Sequence, residues 1–212
     1  MTDINSDIIH ATVVDEYFDL DVLRELGSIG AGNAATSLSE ILQQHVSIDV
    51  PKVYALPPHL VPKFYEMHDK PTTAIYMQLN GEYDCDILLL FDFEEERKMA
   101  ALMTMASSPD EVDPELSVSA IAELGNILIG SFLSAIADFA GVTLVPTHPQ
   151  RVVDSFDAIL DNFLVKQALL SNLSLIFETR FKKGDGSVGC ILMMFPSKEL
   201  SQILVEKVKE FI

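Results

Sequence analysis

Two residues three apart have the types to do chemistry together. Glu123 and Asn126 lie in Ser119-Ala-Ile-Ala-Glu123-Leu-Gly-Asn126. On a helix the step between them is about 300° of turn and about 4.5 Å of rise, so both side chains leave one face. One is a carboxylate that can hold a cation; the other is a neutral amide that can orient a water. No Ser-His or Cys-His pairing accompanies them, and no carboxylate pair of the glycosidase kind. The pair therefore suits a reaction whose hard parts come from a partner. Hydrolysis of an acyl phosphate is such a reaction: the bond is already activated, and Mg²⁺ held by the partner neutralises the phosphoryl oxygens. Asn126 would place the water in line, while Glu123 would pair with a partner lysine and set the docking register.

The same spacing occurs ninety-eight residues earlier. Asp21-Val-Leu-Arg-Glu25-Leu-Gly-Ser28 is followed after twenty-two residues by Pro51, as Asn126 is by Pro149. Glu25 matches Glu123, Gly27 matches Gly125 and Gly32 matches Gly130. The period is too long for a solenoid and indicates a unit duplicated into a two-fold pseudosymmetric body. Ser28 stands where the second copy has Asn126. A serine hydroxyl is too short to reach the same water, and Asn33, five residues on, is turned about 140° away. The first site is thus expected to dock a partner through Glu25 but to hydrolyse poorly.

The elements that must position these residues repeat as well. Apolar residues at helical spacing predict a helix from Asp19, as cap, to about Gln44, and a second from Pro114 to Ala140 opened by Asp113-Pro114. Gly27, Gly30 and Gly32 weaken the first by up to about 1 kcal/mol each, tolerable where a sister helix or a partner must come close. Each long helix is followed by an extended segment (46–56 and 142–153), a short helix (58–66 and 154–169), a hairpin and a closing helix (93–105 and 197–211). The hairpins turn at Asn80-Gly81 and at Lys183-Gly-Asp-Gly186. The predicted fold is α/β in the α+β sense: a mostly antiparallel sheet with the two motif helices side by side. Residues 1–18 form a lead-in, and 19–212 one domain of two repeats, about 19–106 and 114–212.

Composition narrows the partners. The net charge of −18, with 14 Lys and Arg against 32 Asp and Glu, excludes a basic footprint for nucleic acid or anionic membrane. Cys85 and Cys190 are expected at matching points of the two halves as buried thiols of a reducing compartment, and the five scattered histidines argue against a metal or cofactor of the protein's own. No signal peptide is visible in the first twenty residues, and the apolar run 127–137 is too short to span a bilayer, so a cytoplasmic protein is expected.

The stretches DVLRELGSIGAGNAATSLSEIL and SAIAELGNILIGSFLSAIADFAG resemble the two signature helices of the CheC family of chemotaxis phosphatases. That resemblance implies a CheC-like fold and hydrolysis of the phospho-aspartate of the response regulator CheY. It implies Glu123 and Asn126 as catalytic residues, framed by Ser119 and Pro149. The first site, Glu25 with Ser28 framed by Asp21 and Pro51, would be degenerate. It also implies a second partner, the deamidase CheD, engaged through the segment after Pro149, where Asp154 is the expected contact; an Asp there also suits a helix cap. The alternative within the same superfamily is a non-catalytic binding module or adaptor, either CheD-binding or like the middle domain of the flagellar switch protein FliM.

Overall fold

The computed structural model of the chain describes residues 20–65, 69–79, 82–184 and 186–210, with backbone only at Leu20 and 165–170. The lead-in, the Asp19 cap and the Asn80-Gly81 turn lie outside the described residues. The helices are α1 (Leu20–Leu42), α2 (Val61–Phe64), α3 (Phe93–Thr104), α4 (Pro114–Ala140), α5 (Phe156–Leu170) and α6 (Lys198–Lys209). The strands are β1 (Ser47–Ile48), β2 (Lys52–Leu56), β3 (Pro71–Gln78), β4 (Cys85–Asp92), β5 (Gln150–Ser155), β6 (Ser174–Lys183) and β7 (Gly186–Pro196).

Local chemistry sets the ends of the long second helix. The Asp113 side chain accepts from the backbone N–H of Glu115 and Leu116, Pro114 takes the first turn where no partner for its nitrogen is needed, and Gly141 closes the helix at φ 69°. Only glycine enters that left-handed conformation without cost. The central strands carry apolar runs, Ile87-Leu-Leu-Leu-Phe91 of β4 above all, because both of their faces are covered.

All described pairings in the seven-stranded sheet are antiparallel, and the order is β2-β6-β7-β4-β3-β5, with β1 beside β2 on β6. This order maps onto itself when β2, β3 and β4 are exchanged for β5, β6 and β7. Each hairpin therefore carries on its outer edge the strand that follows the other half's motif helix. The pseudo-two-fold passes between β4 and β7, normal to the sheet. Both motif helices lie on one face with α3 and α6, over a core that includes Leu26, Leu38, Leu124, Phe132 and Phe177. The other face is covered by α2 and α5 over a smaller core around Leu88, Phe156, Ile176 and Met193.

The crossed strands are secured differently. Arg151 on β5 donates to Glu96 of α3 through Nε (2.7 Å), with Nη2 at 2.6 Å, and Thr73 of β3 donates to the same carboxylate at 2.7 Å. Glu96 is 2% exposed, so this triad ties a strand of one half to the helix of the other without leaving a buried charge unpaired. Ninety-eight residues earlier, at the matching place on β2, the side chain is Val53, packed in the core.

Candidate functional site

The two-fold makes α1 and α4 antiparallel neighbours, and their glycines show how close they come. A Cβ on Gly30 would lie 2.9–3.0 Å from Phe132, its backbone Cα included, so this is where the sister helix approaches. Gly27 faces the sheet instead, with Phe177 and Pro51 at 3.0–3.2 Å from such a Cβ, and Gly125 does the same against Ile75 at 2.6 Å. Gly32 and Gly130 meet nothing within 4 Å; they sit on the open outer side at the axis. The Leu-Gly step inside each motif thus seats the helix on the strands below and leaves the preceding Glu pointing outward.

Glu123 and Asn126 are both exposed on α4. The Asn126 Nδ2 donates to Glu123 Oε2 at 3.3 Å, which leaves the amide carbonyl and one N–H open to solvent. Ser119 lies on the same stripe and turns its hydroxyl back to the Glu115 carbonyl, at 3.2 Å. Pro149 immediately precedes β5, half-buried, and Pro51 precedes β2, buried against Gly27.

On α1 the matching stripe is spent otherwise. Glu25 is exposed, but the Ser28 hydroxyl donates to the Arg24 carbonyl of its own helix at 2.8 Å. Asp21 forms an ion pair with Arg24. Arg24 falls where α4 has Ala122, and the sequence reading passed over it; comparing the two copies position by position is the signal that finds it. Seven residues separate each Glu from the glycine at the axis, so the two sites lie at opposite ends of the helix pair, about 20 Å apart at 1.5 Å per residue.

Several expectations need correction. Asp154 does not open a helix. It is an exposed residue of β5, opposite Thr72, and its carboxylate accepts from the N–H of Ser155 at 2.7 Å. Ser155 is the residue that caps α5, accepting from Ala158 N–H at 3.2 Å. The extended segment is a strand only from Gln150, with one isolated bridge, Pro146 to Leu79, before it. Cys85 and Cys190 are both buried, but they do not occupy matching points: Cys190 faces Thr179 in its ladder, and the equivalent pair is Ile87 with Met77. Burial pushes both thiols well above their ordinary range. The apolar run 127–137 is part of a helix that by length and composition could cross a membrane; half of the apolar window that qualifies is buried within the body. Among the described residues no cluster of three His, Cys, Asp or Glu is placed to hold a metal.

The body and site define a class: a duplicated α/β fold whose paired helices each carry an outward Glu. Solved structures share that body. Thermotoga maritima FliY superimposes with a TM-score of 0.70 at 21% identity, covering 94% of this chain and 98% of that one. The FliM middle domain of H. pylori gives 0.59 at 15% identity, covering 89% and 97%. The CheC-like family model matches residues 18–54 and 116–153, the two motif helices with their loops and the starts of β2 and β5. The CheY-P phosphatase CheC of Bacillus subtilis is 27% identical over 165 residues, 76% of this chain and 78% of that protein. These matches support a place for the chain in the CheC-like family.

Proposed function

We propose that this protein is a protein-aspartate phosphatase that acts on the phosphorylated form of a CheY-type response regulator in the cytoplasm. Glu123 and Asn126 carry the reaction on α4. The observation that carries this reading is the exposed pair itself, with the amide held against the carboxylate at 3.3 Å. Its support from outside is the Bacillus subtilis relative, a CheY-P phosphatase by name.

Docking presents the phospho-aspartate to the α4 face, and Glu123 pairs with a lysine of the regulator. The Asn126 carbonyl accepts from a water and sets its oxygen in line with phosphorus. The water oxygen bonds to phosphorus, the bond to the aspartyl oxygen breaks, and the carboxylate leaves with its electron pair. The water's protons end on inorganic phosphate or bulk solvent. Mg²⁺ belongs to the regulator and needs no ligand from this chain. Glu25 docks the regulator on α1 with little turnover, because the Ser28 hydroxyl is committed to its own helix. A CheD-type partner engages the β5 edge at Asp154, beside Val152 and Val153, which are 45% and 46% exposed.

A second reading keeps weight from the FliM neighbour: an adaptor that binds without hydrolysis. Phosphate release from a phosphorylated CheY separates the two. Wild type should release phosphate and Asn126→Ala should not; a stable complex with no release by wild type identifies the adaptor.

A further inference from the structure

On the face away from the motif helices the two halves stop being alike. In one half α5, of 15 residues, lies over the strands, and Phe163 packs on Tyr76 with ring centroids 5.1 Å apart. In the other, α2 has four residues, and among the described residues no helix lies over the strands as α5 does. The gap is a cavity of about 630 Å³ floored by Leu90 and Ile191 and walled by Tyr65. Its size is that of a small-molecule site.

The pseudo-two-fold shows what differs there. In the covered half Gln78 faces Asp86 across the ladder, and Gln78 Nε2 and the Tyr76 hydroxyl both donate to Asp86 Oδ1, at 2.7 and 2.5 Å. In the open half the corresponding pair is Arg180 with Gly189. The guanidinium lies flat above the glycine: a Cβ built there would be 3.5 Å from Cζ and 3.6–3.7 Å from the two Nη atoms. A cation thus stands over the position where the other half carries Asp86 and this half carries Gly189.

The charges around the cavity point the same way. Of its four acids, Asp49 pairs with Lys182 at 2.7 Å and Glu95 with Lys98 at 3.0 Å, while Asp92 and Glu178 keep their charge and accept from neutral donors, the Glu94 N–H at 3.0 Å and the Tyr65 hydroxyl at 2.6 Å. Burial and that carboxylate hold the Tyr65 phenol far above its ordinary range, so it stays a donor. Arg180, Lys52 and Lys70 line the cavity, and none of the three has an ion-pair partner among the described residues. In a chain with 32 acids against 14 bases, three cations around one cavity without ion-pair partners among the described residues are not explained by a shortage of carboxylates.

We propose that this cavity binds a phosphate-bearing small molecule of nucleotide size. An anionic group accepts from the edge of the Arg180 guanidinium, beside Gly189, with Lys52 and Lys70 lining the same cavity, and the body of the ligand lies on Leu90 and Ile191. The site is on the opposite face of the sheet from Glu123 and Asn126 and does not depend on the phosphatase reading.

Titration calorimetry of the full chain with metal-free ATP, inorganic phosphate and adenosine tests it. Saturable ATP binding is expected, weakened at least tenfold in Arg180→Ala, weakened by added salt and unchanged in Asn126→Ala. Gly189→Asp puts a carboxylate beside the guanidinium and should abolish binding while leaving the circular dichroism and melting temperature intact, since the added Cβ makes only ordinary contacts. Inorganic phosphate should bind more weakly than ATP, and adenosine not measurably. No saturable ATP binding at millimolar concentration, or binding that Arg180→Ala and Gly189→Asp leave unchanged, overturns the proposal. Loss of binding in Asn126→Ala with retention in Arg180→Ala would place the anion on the motif helices instead.

Discussion

Ser28 and Asn126 occupy the same station on twin helices, each four residues before the glycine at the axis, yet their polar atoms are used differently. The serine hydroxyl is bonded to the Arg24 carbonyl of its own helix, whereas the amide is bonded outward to its neighbour Glu123 and keeps atoms open to solvent. A short side chain on a helix finds the carbonyl four residues back before it finds anything else. The longer amide cannot settle there as readily and projects past the backbone. Duplication preserved the frame, and one change of side-chain length separates a hydroxyl spent within its own helix from an amide that keeps atoms open to solvent. The crossed strands repeat the lesson, since Arg151 needs a buried acid where Val53 needs only apolar neighbours.

Breaking the strand contrast should have the largest effect on stability. Arg151→Met leaves the Glu96 carboxylate, 3% exposed, without its cation and should cost about 3–5 kcal/mol in chemical denaturation, while Val53→Ala should cost less. A double variant Arg151→Met with Glu96→Gln should recover part of the loss; failure to do so denies the pair its structural role. Next, Asn126→Ala should remove about 2.7–4 kcal/mol of transition-state stabilisation, two to three decades in phosphate release, with Ser28→Ala nearly silent. Equal losses in the two variants would mean that the helices work alike.

The glycines sharpen the comparison between the buried and open sides of α4. Gly125→Ala drives a Cβ to 2.6 Å from Ile75, a stiff side chain in the core, and should destabilise by about 1–3 kcal/mol. Gly130→Ala meets nothing and should stabilise by up to about 1 kcal/mol. Melting temperatures that move in the same direction would contradict this packing. In an Asn126→Ala background, Ser28→Asn should restore about tenfold of turnover at the first helix. Smallest of all, Cys85 and Cys190 should both stay unlabelled by iodoacetamide until the chain unfolds, because burial keeps the thiols neutral and out of reach.

Much of this was legible in the chain. Apolar spacing and the Asp113-Pro114 opening located the helices within a few residues, and the repeated spacing marked Glu25 and Glu123 as matching residues before any coordinates. These are local properties: periodicity, capping and propensity act over a few residues, so sequence alone determines them. Which strand lies beside which is not local. An edge strand carries no mark of its neighbour, and an extended segment read as part of its own half was free to pair with the other. Tertiary structure alone therefore decided that β2 lies on β6 and β5 on β3. It decided that Asp154 belongs to a strand edge and that Arg151 reaches Glu96. It also decided that Arg180 is left over a glycine, because burial and charge pairing depend on what the whole fold brings within a few ångströms.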